Sequence, residues 1–345
     1  MSVLANPQTQ FDLEAVGKAW TISNQDSYLW PKLPYFLCND TTSGGSVTTY
    51  QLAKLTNALQ EGPLVDWEPG MALPTNKIIG SDTVTVTCAG RSTKVNTRPL
   101  KRSGPHIFED LESNIVPSTL SQLYQGIDVA LMAFLTSSSA YGTQKTFTGN
   151  SALDAVADFA NQDPLRDFRT NLAPLLKYRG DGRVLAAILD VETANMLAGH
   201  PSFVGGGTGS AIPSHIAPSE VANILRSRLS LDEVIILGDS HYSSARPGQT
   251  AVITSTCRAL CWMGIIDRSG NGKDLRGTSF ASVDGGLAIG FGRMPEVVNF
   301  QDVGSETDNF VGRTSFGIIN PRSASGNNYF GHFYKKTGNN GLFTS

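Results

Sequence analysis

A chain of 345 residues can bury one large core or two interlocked ones, and with 40% hydrophobic and only 17% charged residues it lacks the composition of a disordered protein. The formal net charge of −3 at pH 7 and the pI near 6.0 provide no basic field for gripping nucleic acid by its phosphates, so sequence-specific DNA binding is not expected. The longest apolar runs, Val234 to Leu237 and Ala259 to Ile266, fall far short of the roughly 20 residues that cross a bilayer, and the first residues have neither a basic start nor an apolar signal core; neither a membrane span nor export is expected.

Residues 1–50 combine Trp20, Tyr28, Trp30, Tyr35 and Phe36 with Pro31 and Pro34, which predicts an extended arm with aromatic anchors. Residues 51–103 are rich in turns (Gly62-Pro63, Pro69-Gly70, Pro74, Gly80) and end in the alternating Val84, Val86 and Cys88, predicting a long loop that closes in a β-ribbon. Loops of this length usually serve binding or assembly. Leu64, Trp67, Met71 and Ile78 are apolar side chains that a solitary solvated loop has little reason to expose, so they are the candidate contacts to another subunit, with Trp67 the foremost anchor.

Pro117 and Ser118 predict the start of a helix whose packed face is Leu120, Leu123, Tyr124, Ile127, Leu131, Phe134 and Leu135, weakened at Gly126 and ended by Ser137 to Ser139. Asp163-Pro164 predicts a second helix start, with Pro174 kinking that helix and Gly180 closing it. Val184 to Leu189 reads as a buried strand, after which Asp190 caps a helix that Gly199 and Pro201 stop. The Gly-rich stretch from Val204 to Ser210 is expected to be a mobile loop. Pro218 then opens a helix carrying Val221, Ile224, Leu225 and Leu229, followed by a strand from Glu233 to Leu237 and further strands near Thr250 to Thr254 and Ala259 to Ile266. The expected class is α+β, helices leaning on a mixed sheet.

Several strings resemble catalytic or binding motifs without completing one. Gly238-Asp239-Ser240 after a strand resembles the nucleophile block of SGNH esterases, but none of the five histidines has an aspartate three residues before it to complete the relay that such a serine needs. Gly277-Thr278-Ser279 resembles the serine block of subtilisin-like proteases, yet Val283 stands where that family has proline, and no histidine precedes a glycine. Gly270-Asn271-Gly272-Lys273 lacks the first glycine and the hydroxyl of a phosphate loop and is read as a hairpin turn. The glycines at 205, 206, 207 and 209 follow a helix rather than a strand, so they make no dinucleotide fingerprint. Glu109 and Asp110 sit on a solvated face. Cys257 and Cys261 fall in strand, where four residues span about 13 Å, too far apart for one ion. No catalytic residue, metal site or cofactor is expected.

The order of the middle of the chain resembles the major capsid proteins of tailed double-stranded DNA bacteriophages. The run is Asp163-Pro164-Leu165-Arg166-Asp167 opening a helix, the strand Val184 to Asp190, a helix ending in Leu197-Ala198-Gly199-His200-Pro201, a Gly-rich loop, the helix of Val221 to Leu229 and the strand of Asp232 to Gly238. The match covers about Ser103 to Ile266, and it is the joint order, not any single motif, that carries it. The resemblance implies the phage major capsid (Johnson) fold, shared with herpesvirus capsid floors and encapsulins. It would comprise an N-terminal arm (1–50), an extended E-loop (51–103), a peripheral domain with a spine helix (104–176, completed by part of 300–345) and an axial domain (177–299). It further implies self-assembly into hexamers and pentamers of an icosahedral head. Portal, scaffolding and decoration proteins would be partners, packaged DNA would be touched only non-specifically, and assembly would take place in the host cytoplasm. An encapsulin-like compartment is the alternative. Assays with short acyl esters and casein should show no turnover by the pure protein, and Ser240→Ala and Ser279→Ala should leave that background unchanged; turnover lost with either serine would overturn this reading.

Overall fold

The computed structural model describes residues 28–38, 46–53, 82–96, 105–135, 143–148, 163–179, 182–204, 216–238, 241–243, 253–255, 261–268, 271–272, 274, 282–284, 286–302, 307–319 and 331–337. A 3-10 turn (Trp30–Lys32) leads into β1 (Tyr35–Leu37), followed by β2 (Ser46–Ala53), β3 (Asp82–Asn96), the long helix α1 (Pro105–Leu135) and β4 (Thr143–Thr148). Next come α2 (Pro164–Leu172), a 3-10 helix (Ala173–Tyr178), β5 (Arg183–Asp190), α3 (Val191–Ala198), the single turn α4 (Pro201–Val204) and α5 (Pro218–Leu229). The rest is strand: β6 (Glu233–Leu237), β7 (His241–Ser243), β8 (Ile253–Ser255), β9 (Cys261–Asp267), β10 (Ser282–Asp284), β11 (Ala288–Asp302), β12 (Thr307–Ile319) and β13 (Gly331–Thr337).

A five-stranded mixed sheet runs in the order β4-β13-β9-β5-β6. β5 and β6 are parallel, a pairing that requires a crossover, and α3, α4 and α5 supply it. Because side chains alternate across a strand, the sheet divides its apolar residues between two cores. Leu185, Ala187, Leu189, Val234, Cys261, Met263 and Ile265 face Phe168 of α2, Leu197 of α3 and Val221 and Leu225 of α5. Ala186, Ile188, Ile235, Leu237, Trp262 and Ile266 join the other core with α1, β11 and the segment before β1. A sheet buried on both faces explains why these strands read as near-continuous apolar runs.

The second sheet has six strands in the order β1-β11-β12-β3-β2-β10, and α1 lies against β11, β12 and β3. At about 1.5 Å per residue, the 31-residue helix α1 is about 46 Å long. Gly312 on β12 seats it: a Cβ there would fall 2.6 Å from Thr119 Cγ2 and 2.9 Å from Leu123 Cδ1. The β11–β12 ladder shifts register between Phe291 and Glu296, and Pro295, which has no N–H to give a ladder, sits in this irregular stretch. The two sheets meet where the Leu287 N–H donates to Ile265 O at 2.9 Å. Gly286 makes that approach possible, since a Cβ would lie 2.5 Å from the Asp267 backbone nitrogen.

The expected α+β class is what the chain forms. Asp163 caps α2, accepting the Arg166 N–H, and Pro174 falls where α2 tightens into 3-10 turns. One expectation is corrected: α1 does not start at Pro117 but at Pro105, with Pro117 inside it. An interior proline costs about 3 kcal/mol because it loses one backbone bond and crowds the preceding turn. Here Val116, Thr119 and Leu120, all nearly fully buried, hold the turns on either side in place. Pro201 likewise both ends α3 and opens α4. The Gly-rich stretch after Val204, with the glycines from 205 to 209, lies outside the described residues.

Gly126 within α1 and Gly312 beneath it should therefore respond in opposite directions. Nothing lies within 4 Å of a Cβ placed on Gly126, so Gly126→Ala should raise stability by about 1 kcal/mol through helix propensity alone. Gly312→Val should lower it by about 1–3 kcal/mol by pushing α1 off β12. Denaturant unfolding of both variants beside the native chain measures the two effects.

Candidate functional site

The residues flagged in the sequence fall into three groups. Leu64, Trp67, Met71 and Ile78 lie outside the described residues, as do Asp239, Ser240, Ser279 and Cys257. Glu109 and Asp110 lie in the first turns of α1. The remaining motifs have a place in the structure, and each is occupied by the chain itself.

Asn271 and Gly272 form a turn, with Gly272 in the left-handed region at φ 74°, but not the expected hairpin, since β9 before it and β10 after it belong to different sheets. The Gly272 N–H donates to Tyr35 O at 2.7 Å, and Asn271 Oδ1 accepts the Tyr35 N–H at 3.2 Å. A backbone donor that resembled part of a phosphate cradle is thus spent on the N-terminal segment. His200 is buried and caps α4, its Nδ1 accepting the Ser202 N–H at 3.2 Å and lying 2.7 Å from Ser202 Oγ. Burial lowers its pKa to about 4, so it is neutral at pH 7. The Cys261 thiol is fully buried, which pushes its pKa well above the usual range and keeps it protonated, a poor metal ligand. Among the described residues no three His, Cys, Asp or Glu side chains are grouped to hold a metal ion, and no helix is long and apolar enough to cross a membrane.

The best-built polar arrangement was not singled out in the sequence. Residues 28–38 form a strap that ties both sheets to α1. Leu29, Trp30, Leu33 and Phe36 are all buried, and the Trp30 ring meets Tyr124 and Phe291 edge-on with centroids 4.8 and 5.2 Å away. Beneath the strap, Asp128 of α1 accepts the Leu29 N–H at 2.9 Å on one carboxylate oxygen and the Trp30 N–H at 3.0 Å on the other. Tyr28 adds a hydroxyl contact of 2.8 Å to Ser121. Burial is the main reason that the Asp128 carboxyl titrates at about 7; the two backbone N–H groups and the positive charge of Lys32 oppose the rise.

On its other side the strap is held by the five-stranded sheet. Arg268, just past β9, donates to Lys32 O at 2.7 Å while pairing with Glu233 of β6 at 2.6 Å. β1 then adds to β11 in parallel, from Tyr35 opposite Ile289 to Leu37 opposite Phe291. The signal in the sequence was one acid at position 128 inside an apolar helical stripe, four residues after Tyr124 and next to Ile127. A lone acid on a buried face must find donors, and here they come from a segment about 98 residues away in the chain.

This double-sheet arrangement, with a long helix across one sheet and an N-terminal strap, is an α+β fold that solved structures share. Among solved structures, the chain is similar to a phage-related protein of Bordetella bronchiseptica, with a TM-score of 0.58 and 13% identity over 93% of this chain and 96% of that one. It is also similar to the chain of a virus-like particle from Pyrococcus furiosus, with a TM-score of 0.50 and 10% identity over 94% of this chain and 98% of that one. At these identities the likeness is one of fold. No protein-family model matches the sequence, and no curated protein is significantly similar to it.

Arg268→Ala should remove both the bond to Lys32 O and the pairing with Glu233, lowering stability by about 1–2 kcal/mol. Urea unfolding measures the loss, and limited proteolysis should cut first within 28–38.

Proposed function

We propose that the protein is a structural major capsid protein whose copies close into an icosahedral phage head around double-stranded DNA. The observation that carries this reading is the extent of the likeness to the virus-like particle chain, which covers 94% of this chain and 98% of that one. A shared fold over nearly the whole of both chains leaves little room for an added catalytic domain. The structural role also agrees with the burial of Cys261 and His200 in the subunit's own packing.

In this reading the strap of 28–38, β2 and β3 stay within the subunit, while the part of the arm of 1–50 ahead of residue 28 and the part of the E-loop of 51–103 between β2 and β3 reach neighbouring copies, with Leu64, Trp67, Met71 and Ile78 as contacts. Extensions on a stiff core suit closed shells, which need repeated contacts between copies. The peripheral domain would hold α1 and the six-stranded sheet. The packing favours two shifts in its borders: α2, from Pro164, shares the core of α3 and α5 and belongs with the axial part, while β11 lies against α1 and belongs with the peripheral part. Portal, scaffolding and decoration proteins would dock on the shell as it assembles in the host cytoplasm. DNA would be held by enclosure, as a net charge of −3 suggests. The encapsulin-like alternative has less support, since the higher TM-score belongs to the phage-related protein.

Replacing residues 64–81 with a short Gly-Ser bridge, which spares β3 and its ladder with β2, should leave a folded, cooperatively melting subunit that no longer closes shells. Sedimentation and electron microscopy beside the intact chain test this. Normal closed particles from the deletion would refute the loop's assembly role, and an intact chain that never forms particles would refute the capsid reading itself.

A further inference from the structure

Asp128 presents an unusual balance of groups. Its side chain is almost wholly buried, and its hydrogen-bond partners among the described residues are two neutral backbone N–H groups of the strap. The charged group that acts on it is Lys32, which lies on the strap itself. Of the other titratable groups around it, Tyr28 is on the strap, where burial raises its pKa above the ordinary value, and Tyr124 is one turn earlier on α1. β11 contributes the apolar Phe291, and from the other sheet the Arg268–Glu233 pair reaches only the carbonyl of Lys32. A buried carboxylate with no cation bonded to it favours its neutral form, and lifting the strap would return it to water.

From this geometry we infer that Asp128 is a proton-dependent latch, by which residues 28–38 are held to α1 more tightly in acid than in neutral or alkaline solution. The direction follows from linkage. The latched carboxyl titrates at about 7, above its ordinary 3.8, so the closed state binds the proton more strongly than the open one. The extra stability of the closed strap is full below the ordinary value, is lost as pH rises through about 7, and is constant above it. Between these limits the tie joining the two sheets would loosen without any change elsewhere in the fold. The inference concerns the subunit alone and stands apart from the capsid reading.

Hydrogen exchange of the full-length chain tests it, corrected for the intrinsic pH dependence of exchange and run at concentrations where sedimentation shows a single species throughout. Protection of the Leu29 and Trp30 amides should fall on the order of a hundredfold between pH 5 and pH 8, while β9 amides keep theirs. Asp128→Asn should flatten that dependence. Lys32→Gln, which leaves the buried groups in place, should move the midpoint to higher pH and keeps the test decisive if the Asn variant does not fold. Protection of the strap that does not vary with pH in the native chain would overturn the latch, as would an unchanged profile in Asp128→Asn or an unmoved midpoint in Lys32→Gln.

Discussion

The five-stranded sheet has a packed core on each face, and most of the architecture follows from that constraint. Neither face of β5, β6 or β9 can be left to water, because each strand carries large apolar side chains on both sides. Fully burying one such side chain contributes about 1.5–3 kcal/mol, so exposing either face would cost more than a domain's usual net stability. One cover is local: α2, α3 and α5 come from the stretches just before and after β5. The other must come from a distance, and α1, β11 and the strap supply it.

The strap is therefore more than an N-terminal appendage. Its apolar anchors supply the greater part of its hold, while its polar contacts set its register, since a net hydrogen bond contributes only about 1 kcal/mol. Asp128 fixes the strap against α1, Arg268 fixes it against the five-stranded sheet, and β1 extends the six-stranded sheet. Three elements remote in sequence are thus tied by eleven consecutive residues, 28–38.

The apparent motifs also make sense in this light. Gly272 turns its N–H to Tyr35 and His200 caps α4, so polar groups that in isolation look like fragments of active sites are satisfied by the chain's own backbone.

Local signals were enough to read α2, α3, α5, β5, β6 and β9, because capping residues such as Asp163 and Pro218 and the apolar runs report on short-range preferences. The order of those elements was also enough to point to the fold class. The sequence could not place the start of α1, because Pro117 is a strong local stop that only the packing of Val116, Thr119 and Leu120 overrides. Nor could it show that Gly312 and Gly286 are points of close approach, which depend on Thr119 and Leu123 side chains in one case and the Asp267 backbone in the other lying within 3 Å of where a Cβ would sit. The partnership of Asp128 with Leu29 and Trp30 was equally hidden. A lone acid in an apolar stripe announces that it needs donors, but which segment provides them is decided only when the strap and the helix pack together.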